Sequence, residues 1–83
     1  MMSNSIKVMA PIPGVFYRRP SPDEDVYVNE GDEVKEGDII GLVEVMKSFH
    51  ELKAEASGVI DAFKVEDEGM LEAGQEIAVI NQK

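Results

Sequence analysis

An all-β sandwich or barrel is the fold this sequence predicts, and three observations predict it. Seven glycines and four prolines cut the 83 residues into short apolar segments, a rhythm that suits strands and tight turns better than a helical bundle. Those segments, IKVM, GVFY, VYV, DEV, IIGLVEV, GVIDAFKV and EIAVI, carry the branched and aromatic residues that fit a pleated, half-buried surface. The third observation is a weak internal repeat. Gly37-Asp38-Ile39-Ile40-Gly41-Leu42-Val43 lies over Gly74-Gln75-Glu76-Ile77-Ala78-Val79-Ile80, each copy preceded by a second glycine, Gly31 or Gly69, and by a Gly-Val pair, Gly14-Val15 or Gly58-Val59. Two similar β units, neither able to close a core alone, account for that pattern.

In chain order, IKVM and GVFY are the first strand candidates. After GVFY the first unit is longer than the second, and the additional residues fall around Arg18-Arg19-Pro20-Ser21-Pro22-Asp23-Glu24-Asp25. This is an inserted loop, stiffened by two prolines and kept in water by its acids. VYV and DEV follow as strand candidates, separated by the turn Asn29-Glu30-Gly31-Asp32, and Lys35-Glu36-Gly37-Asp38 turns the chain into IIGLVEV. Glycine in such turns accepts positive φ without steric cost.

The next stretch is ambiguous. Residues 42–56 hold no glycine, proline, asparagine or aspartate, and Val45, Phe49, Leu52 and Ala56 recur at helical spacing. Yet Val43-Glu44-Val45 alternates, and so does Glu51-Leu52-Lys53-Ala54-Glu55-Ala56, which fits two half-buried strands equally well. The repeat favours strands, because the counterpart of residues 37–43 is the closing strand EIAVI. The hairpin turn then falls near Met46-Lys47. A two-residue hairpin favours Asn-Gly or Asp-Gly because both turn residues need unusual backbone angles, so Met-Lys breaks a local rule at an exposed tip. Such a breach points to selection for something other than folding. GVIDAFKV, the turns at Glu68-Gly69 and Ala73-Gly74, and EIAVI complete the chain.

Composition excludes several function classes. A chain of this size is one domain that buries only about 60% of its unfolded surface. Seventeen acidic residues against eight basic ones give a formal charge of −9, which repels phosphate backbones and anionic lipid, so neither nucleic acid nor membrane is an expected partner. Without cysteine, and with His50 as the one histidine, there is no disulfide scaffold, thiolate zinc site or histidine cluster. The opening MMSNSIKV lacks the charged region and apolar run of a secretory signal. A soluble cytoplasmic protein is expected, with residues 1–5 disordered and 6–83 forming the domain.

With VEVMKSF at the junction of two glycine-punctuated halves, the chain resembles the biotinyl domain of biotin carboxyl carrier proteins, whose attachment motif reads E-A-M-K-M. Residues 10–34, APIPGVFYRRPSPDEDVYVNEGDEV, look like the carrier subunit of acetyl-CoA carboxylase, in which an A-P-x-x-G-x-F-Y-R-x-P-S-P-D stretch builds a projecting thumb beside the biotin. Ala54 to Gly58 and EIAVI also fit, so the likeness covers nearly all of residues 10–80. Val45 and Ser48 stand where the motif has alanine and a second methionine. The resemblance implies a flattened β-barrel, or barrel-sandwich hybrid, of two four-stranded antiparallel sheets with quasi-twofold symmetry and a protruding thumb loop near residues 18–25. It implies a non-catalytic carrier in which biotin protein ligase attaches biotin to Lys47. Lys47 then shuttles carboxybiotin from biotin carboxylase to carboxyltransferase, for acetyl-CoA carboxylation in fatty acid synthesis. Glu44 and Met46 belong to the motif the ligase reads.

The chemistry asks little of such a domain. A lysine amine has a pKa of about 10.4 in water, so an enzyme must supply the base and the activated acyl group. The carrier supplies access and position, which a stiff hairpin does better than a loose loop. Blander readings stand beside the functional ones. Met46 and Phe49 are apolar residues that could pack on neighbours near a tip, with ligase contact favoured for Met46 and packing for Phe49. Glu44 is open between recognition and a solvated strand position. His50 reads as an exposed strand residue, Asp23-Glu24-Asp25 lacks calcium-loop spacing, and Arg18 and Arg19 are expected to pair with nearby acids. The rival functions are a lipoyl-bearing carrier domain, as in 2-oxo-acid dehydrogenases or glycine cleavage, and an unmodified barrel-sandwich adaptor.

Overall fold

The computed structural model describes residues 4–82. Eight strands, β1 (Asn4–Met9), β2 (Gly14–Tyr17), β3 (Glu33–Val34), β4 (Ile39–Val45), β5 (Ser48–Lys53), β6 (Gly58–Phe63), β7 (Gly69–Leu71) and β8 (Glu76–Gln82), form two four-stranded sheets. Their orders are β1-β8-β6-β3 and β5-β4-β2-β7, and every ladder is antiparallel. There is no helix among the described residues. The all-β, two-sheet expectation is met, with the sheets facing each other as an open sandwich that no ladder closes into a full barrel.

Three local readings change. VYV is not a strand: residues 26–28 lie in the inserted loop, where Tyr27 N–H donates to the Arg18 carbonyl at 2.9 Å. Gly69-Met70-Leu71, read as turn and connection, is the edge strand β7, paired with β2. Of the expected disordered N-terminus 1–5, residues 1–3 lie outside the described residues, whereas Asn4 and Ser5 pair with Gln82 and Asn81 in β1. The helix alternative is excluded, because β4 and β5 pair from Val45–Ser48 outwards.

The internal repeat is visible in the hydrogen bonds. Gly37 N–H donates to the Ala54 carbonyl and Gly74 N–H to the Ala10 carbonyl, both at 2.9 Å, while Ala54 and Ala10 donate back to Asp38 and Gln75 at 2.8 and 2.7 Å. Gly37 and Gly74 share a left-handed backbone, φ 94° and 83°, which glycine adopts at little cost. Gly14 and Gly58 are equivalent for another reason: a Cβ there would collide with the backbone oxygen of Glu44 or of Asn81. At one point the register differs from the sequence overlay. The residue matching left-handed Gly31 (φ 94°) is Glu68 (φ 67°), not Gly69, since the matching turns run from Asn29 to Asp32 and from Glu66 to Gly69.

Both sheets feed one core. Phe16, Ile40, Ile60, Ile77, Ile80, Val8, Val34 and Val43 are fully buried, and no polar or charged residue is buried among the described residues. Each such side chain contributes about 1.5–3 kcal/mol through burial, which gives the β4–β5 hairpin a firm base from which to project.

Candidate functional site

Among the described residues, the hairpin tip is the turn with two consecutive non-glycine residues at positive φ. Val45 pairs with Ser48, leaving Met46 and Lys47 as its two turn residues. Their φ values are 48° and 67°, the positive-φ pair that a type I′ turn requires and that L side chains resist. Both are exposed, and Met46 is 93% exposed, so it stands in solvent instead of packing on a neighbour. The turn aims a primary amine away from a sheet whose next three inward layers are cross-strand pairs: Glu44–Phe49, Val43–His50 and Leu42–Glu51.

Behind the tip, the outer face of the sheet holds Tyr17, Glu44 and Phe49 together. Tyr17 hydroxyl donates to Glu44 Oε1 at 2.9 Å, and the Tyr17 and Phe49 rings lie 6.1 Å apart, centroid to centroid. The hydrogen bond to the Glu44 carboxylate raises the Tyr17 pKa above its usual value, helped by desolvation and by the charges of Glu44, Glu68 and Asp67. Glu44 is thus a half-buried strand residue with a partner, while Phe49 packs on Tyr17 yet stays 58% exposed. His50 is exposed on β5, as expected of a strand residue.

The inserted loop is fastened at its root by Asp67, a residue that sequence reasoning did not single out. Asp67 Oδ1 accepts from the Arg18 N–H at 2.8 Å, and its Oδ2 lies 3.4 Å from Arg19 Nε. The two arginines then hold the loop from within. Arg18 stacks 4.5 Å over the Phe63 ring and donates to the Val28 carbonyl at 3.2 Å, and Arg19 donates to the Glu24 carbonyl at 3.3 Å. The expected pairing with an acid therefore holds for Arg19, but the acid is distant in sequence. Tyr27, within the same loop, has its pKa raised by burial first and then by Glu51 and Glu24.

Between Tyr17 and Phe49 on the sheet, Pro20 and Pro22 of the loop, and Asp67 and Glu68 of the facing turn, an open cleft of ≈ 580 Å³ lies next to the hairpin. Lys47 and Met46 are brought together at the tip, and Glu44 sits one cross-strand pair behind it, tied to Tyr17. Among the described residues no group of three or more His, Cys, Asp or Glu side chains could hold a metal ion, and no helix is long and apolar enough to cross a membrane.

A family profile described as "Biotin-requiring enzyme" matches residues 6–80. The chain is 37% identical over 73 residues to a biotin carboxyl carrier protein of acetyl-CoA carboxylase from Haemophilus influenzae, covering 88% of this chain and 47% of that protein. The namesake from Pseudomonas aeruginosa is 39% identical over 77 residues, covering 93% and 49%. The chain thus spans about half the length of these curated relatives. Among solved structures, the urea carboxylase of Kluyveromyces lactis superposes with a TM-score of 0.76 at 25% identity, over 96% of this chain and 6% of that one.

Proposed function

We propose, from the premise that this chain belongs to the biotin-requiring enzyme family, that it is a biotin carrier whose Lys47 accepts biotin in amide linkage. The domain then serves a biotin carboxylase and a carboxyltransferase in turn. The names of its relatives make acetyl-CoA the acceptor to test first. The observation that carries this reading is the tip: an exposed amine on a two-residue turn whose backbone angles are unfavourable for methionine and lysine.

The residues fit the group. An amide to biotin needs one accessible primary amine, and Lys47 offers it beyond the last cross-strand pair, Val45–Ser48. When bound, biotin supplies a ureido nitrogen on which a carboxyl group can travel. The chain's own contribution is positional. The β4–β5 ladder holds Lys47 in register, since a slip of one residue would turn the side chain to the opposite face, and the left-handed Met46 and Lys47 direct it off the end of the sheet. Met46 and Glu44 complete the surface offered to biotin protein ligase, Met46 as an exposed apolar contact and Glu44 as a carboxylate held by Tyr17. Apart from the amide that Lys47 forms with biotin, the chemistry is done by the partner enzymes, and the carrier works with them in the cytoplasm.

Reconstitution tests the proposal. With ligase, biotin carboxylase, carboxyltransferase, ATP, bicarbonate and acetyl-CoA, the wild-type chain supports malonyl-CoA formation and Lys47→Arg does not. Full activity of Lys47→Arg, or loading by a lipoate ligase in place of a biotin ligase, contradicts it.

A further inference from the structure

The quasi-twofold symmetry provides an internal control for the outer faces of the two sheets. On the sheet behind the tip, one row of directly paired residues runs Phe49–Glu44–Val15–Met70 across β5, β4, β2 and β7. The equivalent row on the other sheet runs Ser5–Asn81–Val59–Glu33 across β1, β8, β6 and β3. Paired residues share a face. The fold therefore tolerates serine and glutamate at the two ends of this row, where Ser5 simply donates to Asn81 Oδ1 at 3.0 Å. Phe49 and Met70 occupy the corresponding ends while 58% and 79% exposed. The Tyr17 contact accounts for part of Phe49, yet most of its surface, and most of Met70's, stays in solvent.

We propose that this row is the docking surface for the biotin protein ligase, which meets Phe49 and Met70 with apolar side chains and the carboxylates beside them with lysine and arginine. The inference rests on the carrier reading of Lys47. The ligase is the fitting occupant because it acts before any arm exists. Its active site must reach the Lys47 amine itself, so it must cover protein surface close to the tip. Phe49 is two residues from Lys47, and the row extends from it by three strand spacings, roughly 14 Å. The inserted loop occupies the neighbouring part of the same face, which carries Tyr17, Leu42 and Glu51; there Leu42 is only 9% exposed although it lies outside the core cluster. The Phe49–Met70 row lies beyond that covered part.

Charge selects the partner. Glu44 lies within the row and Glu68 two residues from Met70, whereas Asp67 and Glu51 are offset by Arg19 and Lys53 at 3.4 and 3.9 Å, so the balance of charge at the row is negative. Apolar area at Phe49, Val15 and Met70 supplies affinity, and complementary charge at Glu44 and Glu68 supplies steering and salt dependence. A second copy of this chain, also at −9, is disfavoured as occupant.

The test measures biotin loading of the purified chain by purified biotin protein ligase, with biotin and ATP, followed by intact mass. Met70→Ser and Phe49→Ser together are expected to raise KM at least tenfold with kcat changed less than twofold. Glu68→Lys is expected to raise KM and to flatten its dependence on salt. Ser5→Ala with Asp61→Ala, on the opposite face, leaves KM within twofold. Met70→Ser alone keeps the test valid should the Phe49 change disturb folding, because Met70 is the more exposed of the two; it is expected to raise KM about threefold. If the wild type loads normally and the Phe49 and Met70 variants retain its KM, this inference is wrong and the carrier reading stands. A wild type that never loads removes the carrier reading and this inference with it. Dimerisation of the wild type that Met70→Ser abolishes assigns the row to self-association and overturns the proposal.

Discussion

The two halves of the fold use the same carboxylate device with different consequences. In one, Glu30 Oε2 accepts from the Phe63 N–H at 2.9 Å; in the other, Asp67 accepts from the Arg18 N–H at 2.8 Å and also pairs with Arg19. The turn after Glu30 is closed by Gly31, and the turn after Asp67 by a strained Glu68. What recurs in both halves, including the Gly37/Gly74 turns and the Ala10/Ala54 contacts, is what the sandwich needs to close. What occurs once is concentrated around one end: the Met46-Lys47 tip, the inserted loop, Glu68 and the exposed Phe49 and Met70. Duplication in this molecule marks scaffold, and departure from it marks the proposed site.

The sharpest way to break that comparison is through the core, where the halves are expected to behave alike. Phe16→Ala and Ile60→Ala, at equivalent fully buried positions, are each predicted to cost about 3–5 and 2–5 kcal/mol in urea unfolding. A negligible loss in one half alone would deny that both close the same core. A smaller and unequal effect is expected from the carboxylates. Asp67→Ala removes a backbone acceptor and an ion pair and should cost about 1.5–3 kcal/mol, against about 0.5–1.5 for Glu30→Ala. Added proteolytic cleavage within residues 18–28 should appear only in the Asp67 variant.

Relief of backbone strain is expected to act in the opposite direction. Met46→Asn with Lys47→Gly, or Glu68→Gly, should stabilise the fold by about 1 kcal/mol, and Gly31→Ala should destabilise it by a similar amount. Calorimetry of the three variants checks the signs. The smallest effect concerns Tyr17. Its pKa is raised by the hydrogen bond to Glu44, so the stability linked to its proton is complete below the ordinary tyrosine value and is lost as pH rises through the raised one. Tyr17→Phe should therefore lose less stability than the wild type above about pH 10, read from thermal unfolding across that range.

Much of this was legible before the structure. The glycine spacing exposed the repeat, and the repeat turned an ambiguous helical pattern at residues 42–56 into a hairpin with Lys47 at its tip. Resemblance to biotinyl domains, carried by VEVMKSF and residues 10–34, agrees with the family match over residues 6–80. Other features left no local trace. β7 has three residues, too few for alternation to register. VYV has strand composition but sits in a loop fastened elsewhere, so tertiary context overrode propensity. Asp67 reaches Arg18 across 49 positions, and nothing near it in sequence shows what it holds. The row from Phe49 to Met70 draws on four strands and could be seen only once their pairing was known.

One measurement bears most directly on the claim that the singular tip is the working residue. The chain is incubated with biotin protein ligase, biotin and ATP, digested, and every lysine is mapped by tandem mass spectrometry. The account predicts a single biotinyl group on Lys47, with Lys7, Lys35, Lys53, Lys64 and Lys83 unmodified and no label on Lys47→Arg. Label spread over several lysines, or retained in Lys47→Arg, would contradict it.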